Sequence, residues 1–183
     1  MNHIKYLKRL IVILFLSFFS LNVFSQSCSD YLVLKVKTES DPVFETLDHY
    51  AYYDTCGNEI IPFYKYPIIY TDTFRTMAIV LVPRKGFMAI DRDEKELFKI
   101  FPFDNGPDYI SDGLIRIVEN GKIGYANMDG QIIIPAQYSC AYPFQGGRAL
   151  VSIHCQTYLD GEHRRWISDS WYYINNQGSR VDE

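Results

Sequence analysis

One short pattern recurs along the chain and limits what it can fold into. An apolar or aromatic stretch ends in Asp or Asn, a short spacer with glycine follows, and another apolar stretch begins; the copy at Met88–Glu94 lacks the glycine. The spacings between the Asp or Asn positions are 37, 36 and 48 residues, and these positions are Asp54, Asp91, Asn127 and Asn175. A period of about 36 residues fits one supersecondary unit, so the spacing predicts four similar units in a row.

Each unit is predicted to be a three-stranded antiparallel meander. In the third unit, Asn120-Gly121 supplies the two positive-φ residues that a tight hairpin turn needs. The β-branched run Ile132–Ile134 forms the third strand, and Pro135 is predicted to end it because proline lacks a backbone donor. Residues 26–183 show no sustained helical periodicity. The predicted fold class is therefore all-β, with about four units stacked as a short solenoid or a small propeller-like ring after an N-terminal signal helix.

The same division places strands in the other three units. In the first unit a long loop through Asp41-Pro42 is expected between the first two strands, and in the fourth a polar stretch from Gln156 to Ser170 interrupts the unit. The predicted strands are Tyr31–Lys37, Tyr50–Asp54 and Glu59–Pro62; Ala78–Val82, Gly86–Asp91 and Glu96–Phe101; and Arg148–Cys155, Trp171–Asn175 and Ser179–Asp182.

The third unit resembles a known repeat family. The motifs that carry the resemblance are Gly113-Leu114-Ile115, Gly121-Lys122-Ile123-Gly124-Tyr125, Asp129-Gly130, Ile134-Pro135, Tyr138 and Phe144. They resemble the WG-repeat family of bacterial proteins, with Ile123 where that family usually has tryptophan and Phe87 at this place in the second unit. The match is good over residues 110–147 and partial in the other units. The resemblance implies a β-repeat domain over residues 26–183 in a bacterial, often exported, protein, and it implies no catalytic residues.

Residues 1–25 are typical of a secretory signal peptide. Three basic residues precede the apolar run Leu10–Phe19, which is shorter than the roughly 20 residues that a membrane span needs. We expect cleavage near Ser25 and Gln26, and export to the periplasm or the outside of the cell. No second apolar span follows, so no membrane span is expected after cleavage. The alternative is a lipoprotein anchored through Cys28.

All four cysteines lie after the predicted cleavage site. An even number of cysteines in an exported protein suggests disulfides. The meander places the start of the first strand beside the end of the second, so Cys28 is expected to pair with Cys56, which leaves Cys140 and Cys155 for a second bridge. Free buried thiols are the alternative, and lipid on Cys28 would exclude its disulfide.

Charge and carboxylate placement limit the possible functions. Without the predicted signal peptide the chain has 15 basic and 22 acidic residues, a net charge of −7 that disfavours nucleic acid as a partner. A glycosidase needs two carboxylates across a cleft. The candidates are Asp91, Asp93 and Glu94 together, and Asp104 with Asp108, but both sets fall in turns or linkers and are interpreted as solvated.

The sequence predicts no metal, cofactor or hydrolase site. His49, His154 and His163 could serve a hydrolase, but the chain has no Gly-x-Ser-x-Gly motif. A zinc site formed by His154 and His163 with Cys140 and Cys155 would match no common ligand spacing. We therefore predict that the protein is not an enzyme.

Aromatic residues are the best candidates for binding. Trp166 lies in the polar stretch beside His163-Arg164-Arg165, where no strand pattern includes it, and Tyr138 and Tyr142 lie in a linker. Such side chains can stack on sugars or anchor a protein partner. Linker tyrosines can equally seal the joints between units, which applies also to Tyr64, Tyr66 and Tyr70.

We predict a non-enzymatic exported module that binds an unknown protein or glycan of the bacterial cell envelope. An inert structural domain and an envelope hydrolase are the alternatives. Exposure of Trp166 and the linker tyrosines on one face favours binding, whereas their burial between units favours a structural role. A cleft that gathers Asp91, Asp104 or Asp108 with a histidine favours the hydrolase.

Overall fold

The computed structural model describes residue 28, residues 30–161 and residues 163–182. Regular structure in these residues consists of eighteen β-strands with antiparallel pairing. The predicted signal peptide, residues 1–25, lies outside the described residues. Within the described part, no helix is long and apolar enough to span a bilayer. The all-β fold class predicted from the sequence is confirmed.

Four three-stranded antiparallel groups follow one another along the chain, and in each the middle strand pairs with the other two. We call them groups one to four. Their strands are β1 (Leu32–Asp41), β2 (Glu45–Tyr53) and β3 (Glu59–Ile61); β5 (Ala78–Val82), β6 (Gly86–Ile90) and β7 (Glu96–Ile100); β10 (Leu114–Glu119), β11 (Lys122–Asn127) and β12 (Ile132–Tyr138); and β14 (Arg148–Ser152), β17 (Tyr172–Asn175) and β18 (Arg180–Val181).

Six further strands lie in the connections between and within the groups. They are β4 (Thr73–Phe74), β8 (Pro102–Phe103), β9 (Gly106–Pro107), β13 (Cys140–Ala141), β15 (Gln156–Asp160) and β16 (His163–Ile167). The strand β4 extends the sheet of group one, and β13 extends that of group four. Because β7 also pairs with β10, groups two and three share one six-stranded sheet in the order β12-β11-β10-β7-β6-β5. This merged sheet was not predicted.

The second and third strands of every group are joined by the same turn. In group three the Asn127 side-chain oxygen accepts hydrogen bonds from the amides of Asp129 at 3.0 Å and Gln131 at 2.9 Å. Gly130 has a φ of 81°, a left-handed conformation that glycine adopts at little cost. The equivalent side-chain bonds form at Asp54, Asp91 and Asn175. The four recurring sequence positions therefore occupy one local setting.

Three hydrophobic clusters form the core, and each lies between two consecutive groups. Leu32, Tyr52, Ile61 and Ile90 belong to the cluster of groups one and two. Ile79, Ala89, Ile115 and Ala126 belong to that of groups two and three, and Tyr125, Ile134, Ala149 and Ile174 to that of groups three and four. Groups two and three thus bury residues against both of their neighbours in the chain, which is how repeat proteins build a continuous core.

The prediction that Pro135 ends its strand is wrong, since β12 continues to Tyr138. Proline is tolerated there because β12 lies at the edge of the six-stranded sheet and its pairing with β11 is irregular. At this irregularity β12 approaches Gly124 closely. A Cβ atom on Gly124 would lie 2.6 Å from the Ala136 nitrogen, so only glycine fits.

Of the two predicted interruptions, the first is wrong and the second contains a hairpin. The long loop expected at Asp41-Pro42 is instead a continuous hairpin, because β1 and β2 stay paired from Val33 with Tyr53 as far as Asp41 with Glu45. The polar stretch from Gln156 to Ser170 contains the hairpin of β15 and β16. Both hairpins extend the connection between the first and second strands of their groups.

Two disulfides connect residues that neighbour the strands of the outer groups. Cys28 pairs with Cys56, with the Cα atoms 5.3 Å apart, and Cys140 pairs with Cys155 at 5.9 Å. Both disulfides are the pairs predicted from the meander arrangement of the strands. A sulfur in a disulfide cannot carry lipid or bind zinc as a thiolate, so the pairing argues against both of those alternatives. Disulfides persist in oxidising compartments, and the two bridges are consistent with an exported protein.

Candidate binding surface

Trp166 lies in β16 opposite Thr157 of β15, so the interpretation that no strand includes it is wrong. Its indole is half-buried and packs against the cluster of groups three and four. The ring centroid lies 5.9 Å from that of Phe101 and 5.3 Å from that of Tyr142. Trp166 therefore fixes the β15–β16 hairpin onto the body and is still partly open to solvent.

Five further aromatic rings continue from Trp166 across the surface. Tyr142 also contacts Trp171 at 5.6 Å, and Phe103 contacts Tyr109 at 5.4 Å. Tyr109, Phe103 and Tyr142 are 50%, 49% and 42% exposed. We call this set the aromatic strip; its members are Phe101, Phe103, Tyr109, Tyr142, Trp166 and Trp171.

A buried ion pair lies beneath the aromatic strip and joins its two halves. The Arg116 guanidinium carbon lies 4.3 Å from the ring centroid of Phe101 and 5.9 Å from that of Phe103. Arg116 Nε donates to Asp108 Oδ2 at 2.8 Å, and Nη1 donates to the Ala141 carbonyl at 3.0 Å. Cation–π contacts of this kind stabilise the rings that they join.

The interpretation of Asp108 as a solvated turn residue is wrong. Asp108 is 4% exposed and Arg116 is 3% exposed, and the Asp108 carboxylate also accepts the backbone amide of Arg116 at 3.1 Å. The charges of Asp108 and Arg116 cancel, so the ion pair beneath the aromatic strip has no net charge. Sequence reasoning did not single out Arg116. The sequence does indicate this position, because Arg116 is a charged residue within the apolar strand Leu114–Val118. Strand alternation places its side chain on the same face as Leu114 and Val118.

The other two predicted binding residues have different positions. Tyr138 is 2% exposed and its ring lies 6.5 Å from that of Tyr172; burial raises the pKa of its phenol. It belongs to the core and not to the strip. Tyr142 belongs to both: its ring lies in the strip, and its carbonyl accepts a hydrogen bond from the buried Tyr125 hydroxyl at 2.7 Å.

The linker tyrosines of the first half of the chain lie elsewhere. Tyr64 is 59% exposed and stacks at 4.2 Å on His49, while Tyr70 contacts Phe87 at 5.5 Å. Tyr66 is half-buried and donates a hydrogen bond to Glu94 at 3.0 Å. Of the predicted aromatic residues, the strip brings together only Trp166 and Tyr142.

A polar groove of about 530 Å³ lies beside the β15–β16 hairpin. The buried Ser152 hydroxyl lies 2.8 Å from the Ser168 hydroxyl and 2.8 Å from the His154 carbonyl, a network that joins β14 to the residues after β16. Lys122 Nζ donates to Ser139 Oγ at 2.8 Å, and Ser139 donates to a backbone carbonyl. We call this cavity the serine groove.

The candidate acids and histidines of the metal and hydrolase interpretations lie in several different settings. No group of three or more His, Cys, Asp or Glu residues in the described part could hold a metal ion. Asp91 is bonded within its own turn, and Asp108 is bonded to Arg116. Of the candidate histidines, His154 lines the serine groove and His49 lies beside Tyr64; nothing is described of the His163 side chain.

The comparison with known families identifies one segment. The model of the WG containing repeat family matches residues 123–154, which begin in β11 at Ile123-Gly124 and continue through β12, β13 and β14. No curated protein and no solved structure matches the chain. The matched segment includes Gly124, where β12 comes so close that only glycine fits. It also includes Tyr125 and Phe144, whose ring centroids lie 4.7 Å apart in the core. The family match therefore identifies residues 123–154 as a WG containing repeat.

Proposed function

We propose that this protein is an exported, non-enzymatic β-repeat module that binds a glycan or protein of the bacterial cell envelope through the aromatic strip. The observation that carries the proposal is the contact of Trp166 with Tyr142 at 5.3 Å on a surface where Tyr142, Phe103 and Tyr109 are 42% to 50% exposed. Exposed aromatic residues held in place by a folded scaffold are frequent anchors in binding sites.

A glycan is the ligand class that the strip favours. Aromatic rings present apolar faces to the C–H faces of sugars, while hydroxyl and indole N–H groups at the ring edges can bond sugar hydroxyls. Because Arg116 and Asp108 neutralise each other below the rings, this ion pair adds no net charge to the strip. A protein partner is the other class that the strip could anchor.

The architecture supports a module built from about four repeats. The turns at the four recurring positions share one hydrogen-bond pattern, and the three core clusters join the groups in chain order. We propose that the groups are successive repeats of a short open solenoid, and that residues 1–25 direct its export to the periplasm or beyond. The two disulfides support the export part of this proposal.

Binding of the exported protein to an insoluble cell-envelope fraction tests the role of the strip. Tyr142→Ala and Tyr109→Ala remove exposed rings and should each weaken co-sedimentation with the envelope by several-fold. Tyr158→Ala is the matched control, because Tyr158 is 50% exposed and lies in β15 outside the strip. Equal binding of all the variants would refute the proposal, and their far-UV circular dichroism excludes misfolding as the cause of a loss.

Pretreatment of the envelope distinguishes the two ligand classes. Periodate cleaves sugars that carry neighbouring hydroxyl groups, whereas a protease removes accessible proteins. A glycan ligand predicts that periodate abolishes the Tyr142-dependent binding and that the protease leaves it intact. The opposite result assigns the strip to a protein partner.

The hydrolase alternative has one observation in its favour. Ser139 and Lys122 lie within hydrogen-bond distance at the serine groove, and Ser–Lys pairs serve as nucleophile and base in some hydrolases. Ser139 directs its own proton to the Ile153 carbonyl at 2.6 Å, however, and not to a base. Labelling by a fluorophosphonate that disappears in Ser139→Ala and persists in Ser170→Ala would favour this alternative over the binding module.

A further inference from the structure

Strand alternation gives each group one face toward the preceding group and one toward the following group. The residue directly before the turn Asp or Asn faces the preceding group: Ile90, Ala126 and Ile174 all lie in the cluster shared with it. The residue two positions before the turn faces the following group, as Tyr52, Ala89 and Tyr125 do. The same orientation rule therefore holds at all three joints between the groups.

Two of the three joints share an aliphatic contact at the turn. A Cβ atom on Gly130 of group three would lie 2.9 Å from Leu97 of β7, and one on Gly178 of group four would lie 3.4 Å from Ile134 of β12. In group one the third strand supplies Ile61, which is fully buried in the cluster shared with group two. Each joint thus places an aliphatic residue of one third strand against the next group.

Group one presents the receiving half of such a joint on its outer face. Val33 and Tyr53 are cross-strand partners, as are Ile115 and Ala126 at the joint of groups two and three. A Cβ atom on Gly57, the counterpart of Gly130, would meet nothing within 4 Å. A hollow of about 330 Å³ occupies this position, and among the residues around it are Val33, Lys35, Tyr53, Asp54, Thr55 and Gly57.

Group four presents the inserting half on its outer face. Tyr173 lies two positions before Asn175 and pairs with Leu150 on one side and Val181 on the other. Val181 is the cross-strand partner of Tyr173, as Ile61 is of Tyr52 in group one and Ile134 is of Tyr125 in group three. All three side chains on this face are only half-buried. The described residues therefore contain both halves of one further joint, at opposite ends of the array.

We propose that copies of this chain associate head to tail, with the Leu150, Tyr173 and Val181 face of one copy seated on the Val33 and Tyr53 hollow of the next. The internal joints supply the template, because each already pairs these two kinds of face. Charges of both signs surround the two faces: Lys35 and Asp54 line the hollow, and the Arg148 guanidinium carbon lies 4.6 Å from the ring centroid of Tyr173. The interface is heterologous, so it produces open chains of copies unless the rotation between copies closes a ring.

The test uses exported protein and two variants that each block one face. Thr55→Arg fills the hollow from an exposed position, and Val181→Asp places a charge on the inserting face. Analytical ultracentrifugation should show that the mass of the wild type rises with concentration, while each variant alone remains a monomer. Ile133→Asp is the control, since Ile133 is an exposed apolar strand residue of group three away from both faces, and this variant should associate like the wild type.

A mixture of the two blocked variants gives the decisive result. Thr55→Arg retains its inserting face and Val181→Asp retains its hollow, so the mixture should form dimers of one copy of each and nothing larger. A wild type that stays monomeric at every concentration would overturn the proposal. Association that survives either blocked face, or a mixture that stays monomeric, would do the same. None of these outcomes would test the proposed binding role of the aromatic strip.

Discussion

The Tyr125 hydroxyl donates a hydrogen bond of 2.7 Å to the backbone carbonyl of Tyr142 and so connects the core to the aromatic strip. Tyr125 is fully buried, and this burial raises the pKa of its phenol. Tyr52 makes the matching bond in group one, to the Thr71 carbonyl. In both groups a buried tyrosine of the second strand anchors the linker that follows the third strand.

Tyr125→Phe should destabilise the protein by about 1–3 kcal/mol, because the Tyr142 carbonyl loses its partner in a buried setting. Urea denaturation followed by tryptophan fluorescence measures this difference. Tyr109→Phe is the control, because Tyr109 is half-exposed and the change should stay within about 0.5 kcal/mol. A Tyr125→Phe variant as stable as the wild type would show that the linker is held by other contacts.

Gly124→Ala should destabilise the protein by about 1–3 kcal/mol through overpacking, since the new methyl group would meet the backbone of β12 and not a movable side chain. Thermal unfolding followed by circular dichroism measures the loss. Gly106→Ala is the matched control: the nearest atom to its new Cβ would be a carbonyl 4.0 Å away. Equal melting temperatures for the two variants would contradict the close approach of β12 to Gly124.

The repeated turns could be predicted from the sequence because they depend on local chemistry. An Asp or Asn side chain reaches only the amides of the next few residues, and the left-handed position selects glycine within the same segment. Tight turns likewise fix the strands of groups two and three, and the strand β5 spans Ala78–Val82 as predicted. Asn120 and Gly121 have the positive φ values, 50° and 74°, that the predicted hairpin turn requires.

The aromatic strip could not be predicted because its contacts are distant in sequence. Trp166 meets Phe101 across 65 residues, and no period or spacing records that contact. The chemistry of Asp108 likewise depends on Arg116, which lies in a different element and folds beneath the linker. A carboxylate in a polar linker has the same sequence signature whether it is solvated or paired in the interior.

Asp108→Asn should destabilise the protein by about 3–5 kcal/mol, because it leaves the buried Arg116 guanidinium without a counter-charge. Chemical denaturation measures the loss. Glu96→Gln is the control: it breaks the exposed pair with Lys85 and should cost no more than about 1 kcal/mol.

If Asp108→Asn fails to fold, the double variant Asp108→Leu with Arg116→Met keeps the prediction testable. It removes both charges together and should recover much of the stability. A double variant that is no more stable than Asp108→Asn would show that the loss comes from packing and not from the unpaired charge.

Asp54→Asn should make the protein less sensitive to acid. Hydrogen bonds from the Asn58 side chain, from its backbone amide and from that of Cys56 hold the pKa of Asp54 below its ordinary value. A carboxylate whose pKa is lower in the folded state stabilises the fold above its unfolded pKa of roughly 3.9, and this contribution is lost as the pH falls through the folded value. Asparagine already occupies the equivalent turn position at Asn127 and Asn175, so the substitution keeps the turn and removes the titration.

The measurement is the difference in unfolding free energy between neutral pH and pH values below that of the unfolded carboxyl. This difference should be smaller in Asp54→Asn than in the wild type. The control is Asp129→Asn, which removes an equal charge from the equivalent turn of group three. In that turn Asp129 contributes its backbone amide and not its side chain to the bond with Asn127. The acid sensitivity of the Asp129→Asn variant should therefore remain that of the wild type. Because the two variants change the net charge equally, a reduction seen in both would reflect general electrostatics and would contradict the specific role of the Asp54 turn.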